Sequence, residues 1–74
     1  MQTRDKMAVR YDKLWHILLD RKMKKVDLQR EAGISEFMIK KLTRNQNVSA
    51  EVLGRISKTL SCNIEDFVEF IEED

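Results

Sequence analysis

Apolar residues recur at three- and four-residue steps along most of the chain. Tyr11, Leu14, Trp15, Leu18 and Leu19 form one such stripe, predicting a first amphipathic helix over about residues 8–22 with Asp12, His16 and Asp20 facing outward. Val26, Leu28 and Ala32 predict a short second helix, halted at Gly33, which takes a positive φ at no steric cost. Ser35 offers its side-chain oxygen to the free amides of a third helix, whose inner face is Ile39 and Leu42 with Met38 beside them and whose end falls near Asn45. Ser49 opens a fourth helix with Val52, Leu53, Ile56 and Leu60 on one stripe. Asn63 opens an expected fifth with Ile64, Phe67, Val68 and Ile71, where Glu65 and Asp66 suit the positive end. No alternating apolar and polar segment, repeat or Pro-rich linker is read between them. The expected fold is all-α, with five short helices.

Size narrows the function classes. A chain of 74 residues is one small domain with a modest core and no room for a deep substrate cavity. Cys62 is its only cysteine and His16 its only histidine, so neither a disulfide framework nor a Cys-rich zinc site can be assembled. No metal and no cofactor are expected. A lone thiol suits a reducing compartment, and no apolar run approaches the roughly 20 residues that span a bilayer. The mixed charges of the first ten residues do not read as a secretory signal. A cytoplasmic protein with no membrane partner is the expectation, with residues 1–7 a flexible arm, 8–71 the domain and 72–74 an acidic tail.

The formal net charge of +1 conceals a steep gradient. All 14 Lys and Arg lie within residues 1–62 with 7 acids, whereas 63–74 hold the other 6 acids and no base. Residues 21–44 carry 8 bases against 3 acids, a block that attracts a polyanion or forms a solvated face.

The informative stretch is 25–42, where Leu28, Ala32, Gly33, Ile34, Ile39 and Leu42 sit across two helices joined by a Gly-containing turn. Helices crossing steeply need a small residue near the crossing, a Gly in the tight turn and apolar residues locking the second helix to the first. Here the chain resembles the phage-repressor and Cro type of helix-turn-helix proteins, the XRE-like transcriptional regulators, over about residues 11–71. The motifs in order are Leu14-Trp15, Met23-Lys24-Lys25-x-Asp27-Leu28, Ala32-Gly33-Ile34-Ser35, Val48-x-x-Glu51-Val52-Leu53 and Leu60-x-Cys62-Asn63-Ile64, and they are most similar to the compact stand-alone bacterial subgroup. The resemblance implies a lambda-repressor-like DNA-binding domain with its helix-turn-helix at about 25–44. Three positions depart from the family pattern: Gln29 where Ala is usual, Lys24 where a Ser or Thr cap is common, and Lys25 where Gln often touches a phosphate. Lys25 keeps the charge, but Lys24 has no acceptor with which to cap.

In the docking the resemblance implies, the helix over 35–42 lies in the major groove with its first residues against base edges. Ser35, Glu36, Phe37, Lys40 and Lys41 are then the base-reading candidates. The lysines reach guanine acceptors or phosphates, Glu36 accepts from a cytosine amine, and Phe37 presses on a thymine methyl. Arg21, Lys22, Lys24, Lys25, Arg44 and Asn47 are the phosphate candidates, setting register without reading sequence. Each has a plainer reading: Phe37 folding back on its own domain, Glu36 serving the helix dipole, the lysines merely solvated. Trp15 reads as core rather than a stacking platform, His16 as surface, and Cys62 as a small buried hydrophobe.

The terminal segment reads as a solubilising tail or, through Phe67, Phe70 and Ile71, as a two-fold homodimer contact. The expected function is sequence-specific binding of double-stranded DNA, with repression by occupying an operator. The alternative is a protein-interaction or antitoxin-like subunit docking through an acidic C-terminal helix. No acid–base constellation suggests an enzyme.

Overall fold

The computed structural model describes residues 6–73. Four α-helices carry the core: α1 (Asp12–Asp20), α2 (Lys25–Ala32), α3 (Glu36–Thr43) and α4 (Ala50–Leu60). They are flanked by two short strands, β1 (Lys6–Arg10) and β2 (Glu69–Glu73), which pair antiparallel, and a single 3-10 turn (Ile64–Asp66) leads from α4 towards β2. The helical helix-turn-helix class expected from the sequence is therefore present, with four α-helices instead of five.

The first correction lies before α1. Residues 8–10, expected in the first helix, are strand, and the helix opens only after Tyr11. Their register sets Ala8 against Ile71, Val9 against Phe70 and Arg10 against Glu69, so a base faces an acid across the ladder. Lys22, expected to close the helix, already has φ 57° beyond its end.

The second correction is the expected fifth helix. Asn63 does open a turn, and its amide donates to the Asp66 carboxylate at 3.0 Å, but the turn stops after three residues. Phe67 and Val68 then drop into the core, and the chain extends into β2. The acidic C-terminal helix invoked for partner docking is thus a strand. Of the expected arm, residues 1–5 lie outside the described residues while Lys6 and Met7 belong to β1; of the expected tail, Glu72 and Glu73 belong to β2 and Asp74 lies outside.

The middle of the chain forms as its caps and stripes dictate. Ser35 and Ser49 stand at the starts of α3 and α4, each hydroxyl accepting from the amide three residues on (Met38 and Val52) at 3.2 Å. Lys24 contributes no side-chain cap to α2; Asp27 reaches back to accept from the Lys24 amide at 2.9 Å. That bond, with Arg30 at 2.8 Å, holds the Asp27 carboxyl below the usual carboxylate range, although partial desolvation opposes it.

Leu14, Leu28, Leu42, Ile56, Leu60, Phe67 and Tyr11 are the largest fully buried side chains, drawn from every helix and from both flanking segments. Among the described residues no charged side chain is buried, and the phenol of buried Tyr11 is hydrogen-bonded. Four of the expected stripe residues are exposed: Leu19 (71%) and Val26 (54%) on their helices, and Ile64 and Ile71 in the C-terminal segment.

Candidate nucleic-acid interface

The turn between α2 and α3 fixes the direction in which α3 points. Gly33 sits in the left-handed region (φ 68°, ψ 37°), and the Ile34 amide donates to the Gln29 carbonyl at 3.1 Å, closing the end of α2. A Cβ on Gly33 would lie 3.3 Å from the Arg55 guanidinium, the flexible end of a side chain on α4, so the left-handed backbone is what calls for glycine here. Ile34 is buried, Ser35 caps, and α3 leaves at the angle that Ile39 and Leu42 then lock by burial.

Once Ile39 and Leu42 face inward, helical periodicity turns Glu36, Phe37 and Lys40 outward. All three are exposed, as is Ser35. Phe37 is 63% exposed and does not fold back on the domain. Its ring lies 5.7 Å from the Lys41 ammonium one turn along, and Lys41 is half-buried. Glu36 and Lys40 approach to 4.0 Å, an exposed pair too weak to hold either side chain against a better partner. The outer face of α3 therefore presents an aromatic ring, a carboxylate and two ammonium groups around its first turns.

The phosphate candidates divide between two flanks. Arg21, Lys22 and Lys24 occupy the turn between α1 and α2, and Arg44 and Asn47 the loop between α3 and α4; all five are exposed. Lys25, at the first position of α2, is engaged within the chain. Its ammonium donates to Thr43 Oγ1 at 3.0 Å and lies 4.3 Å from the centre of the Trp15 ring. Thr43 Oγ1 in turn donates to the Ile39 carbonyl at 2.9 Å, leaving its lone pairs to accept.

Residues the sequence assigns to the fold and not to the interface position the second flank. The Tyr11 amide donates to Asn45 Oδ1 at 3.1 Å, and the Tyr11 hydroxyl donates to the Gln46 carbonyl at 2.7 Å. Asn45 itself has φ 57°, a conformation that asparagine tolerates better than most residues. The loop carrying Arg44 and Asn47 is thus tied to the start of α1. No periodic signal announces a contact across more than thirty residues.

Trp15, Leu18, Leu19, Met23, Lys24 and Lys25 line an open, mainly apolar groove between the end of α1 and the start of α2. Trp15 is half-buried at its rim, packed against the core as expected while one ring face meets Lys25. Cys62 is half-buried, and burial with the nearby Asp66 charge pushes its thiol up, against an opposing effect of Arg21. The resting group is the thiol, a poor nucleophile. Among the described residues no three His, Cys, Asp or Glu side chains cluster as a metal would need, and no helix is long and apolar enough to cross a membrane.

At the C-terminal end one dimer candidate changes role. Phe67 is fully buried within its own chain and so is unavailable to a partner. Phe70 is 61% exposed and Ile71 37% exposed on β2, where successive side chains point to opposite faces.

A capped helix held outward by a glycine turn, flanked on both sides by basic loops, defines the class of helix-turn-helix DNA-binding domains. Within it, the chain belongs to the family of Cro/C1-type helix-turn-helix DNA-binding domains, whose model matches residues 13–73. Among solved structures, the chain is similar to a crystal structure of the transcriptional regulator VanUg, form II, at 40% identity and a TM-score of 0.89, over 99% of this chain and 96% of that one. No relative was found among curated proteins. The family and this structural likeness together make the protein a DNA-binding transcriptional regulator of the XRE-like kind.

Proposed function

We propose that the protein is a transcriptional repressor that reads double-stranded DNA with the outer face of α3 seated in the major groove. The observation that carries this is the division of α3 itself: Ile39 and Leu42 are buried while Ser35, Glu36, Phe37 and Lys40 stand in solvent. Phe37 has no fold-back partner, and a large exposed ring at the start of such a helix is matched to an apolar feature of a base edge, the thymine methyl. Lys40 and Lys41 reach guanine acceptors or adjacent phosphates, and Glu36 accepts from a cytosine amine. Arg21, Lys22, Lys24, Lys25, Arg44 and Asn47 hold the backbone on either side and supply most of the affinity through counterion release. Repression follows by occupancy: a protein seated on its operator excludes other proteins from it.

The reading extends to a homodimer through β2, with Phe70, its most exposed apolar side chain, at the contact. A two-fold pair presents two α3 helices about 34 Å apart, one helical turn of DNA, and selects a near-palindromic site.

The test is selection of bound duplexes from a random pool, then titration of the enriched site and a scrambled control. Wild type is expected to enrich one symmetric site, and the Lys40→Ala, Lys41→Ala double variant to lose its preference over the control. An unchanged preference in that variant would move the reading surface elsewhere on the domain.

A further inference from the structure

We propose that Trp15 is a positioning residue for DNA binding: it holds the Lys25 ammonium, with Thr43, in place for a phosphate oxygen. The inference rests on the proposed reading of this protein as a duplex binder and adds a residue to it. Three elements meet at one charge. Lys25 opens α2, the Trp15 ring on α1 lies 4.3 Å from its ammonium, and Thr43 Oγ1 at the end of α3 accepts from it at 3.0 Å.

The Thr43 and Trp15 contacts hold this lysine in the free protein, but its position at the head of α2 works against it. The start of a helix carries the positive end of its dipole, so Lys24 and Lys25 in succession are each disfavoured there. The local carboxylate, Asp27, is occupied by the Lys24 amide and Arg30. An anion arriving from outside relieves the repulsion. The ammonium has three N–H donors; Thr43 takes one, and the ring face attracts the charge without consuming a donor outright. Capacity therefore remains for a phosphate oxygen.

Holding the side chain beforehand matters because a free lysine loses much rotamer entropy when it docks on a phosphate. The clamp also fixes the phosphate point relative to α3. Thr43 is anchored to the Ile39 carbonyl, and Ile39 is among the residues that set the direction of α3. A phosphate seated on Lys25 is thereby registered against the base-reading face.

The test uses the full chain and the enriched duplex of the selection described above, with Trp15→Leu, Trp15→Phe and Lys25→Ala singly and Trp15→Leu combined with Lys25→Ala. Trp15→Leu is expected to weaken binding about three- to fivefold, and Trp15→Phe, which keeps a ring face, to restore most of that loss. Lys25→Ala should weaken binding and lower the slope of log affinity against log salt by about one. In the Lys25→Ala background, Trp15→Leu should cost nothing further. Trp15 is the only tryptophan, so its emission reports the clamp directly: a change on duplex addition in wild type, absent in Lys25→Ala. Equal losses from Trp15→Leu with and without Lys25 would overturn this inference alone, since Trp15 would then act through packing. If Trp15→Leu does not fold, the cycle of Trp15→Met with Lys25→Ala, which keeps an adaptable apolar side chain but no ring face, decides by the same additivity criterion. Absence of duplex binding by wild type would overturn the parent reading together with this one.

Discussion

Tyr11 and Gln46 are joined by a 2.7 Å hydrogen bond from the phenolic hydroxyl to the main-chain carbonyl, which ties the start of α1 to the loop following α3. Tyr11 is 1% exposed, and burial raises its phenol above the usual range. Tyr11→Phe keeps the ring in the core and removes only the tie, so it is expected to cost about 1 kcal/mol in urea unfolding. Burial of the same phenol carries a pH signature. A phenol raised in the folded state contributes stability that is complete below its unfolded value, about 10, and lost as pH rises through the folded one. Wild type should therefore lose stability above about pH 10 more steeply than Tyr11→Phe.

The two glycines are expected to respond with opposite signs. Gly33 has φ 68° and Arg55 within 3.3 Å of an added Cβ, whereas Gly54 lies inside α4 with open space around it. Gly33→Ala should destabilise by about 1–2 kcal/mol, and Gly54→Ala should stabilise by about 0.5–1 kcal/mol through helix propensity. Thermal melts by circular dichroism measure both. A stabilising Gly33→Ala would show that the left-handed turn does not govern the placement of α3.

Phe67 and Phe70 lie three residues apart with opposite environments, fully buried and 61% exposed. Phe67→Ala is expected to cost about 3–5 kcal/mol, a large part of what so small a domain holds. Phe70→Ala should leave the monomer's stability nearly unchanged and, on the homodimer reading, abolish any dependence of the unfolding midpoint on protein concentration. Chemical unfolding at two concentrations separated a hundredfold distinguishes the two roles.

What was legible in the sequence follows the range of the forces involved. From α2 to α4 the determinants are local: Ser35 and Ser49 cap, Gly33 turns, and Ile39, Leu42, Val52, Ile56 and Leu60 repeat at helical spacing. The flanks depart from the expected helices because their structure is a pairing between distant segments. Ala8 to Arg10 are compatible with a helix until Ile71, Phe70 and Glu69 arrive opposite them. Phe67 and Val68 fit a helical stripe and also the two consecutive core positions they occupy after a 3-10 turn. In the candidate interface, the outward set on α3 could be placed from the buried one. Lys25 was legible as a charge, but its engagement by Trp15 and Thr43 was not, because α1, α2 and α3 must be assembled before the three groups meet.

The central claim is that the outer face of α3 meets the bases of a duplex. Amide chemical-shift mapping with the enriched duplex at moderate salt tests it most directly. The account predicts the largest shifts at Ser35, Glu36, Phe37 and Lys40, with smaller ones at the flanking basic loops and little change along β2. Large shifts confined to β2 and its neighbours, with α3 undisturbed, would contradict it.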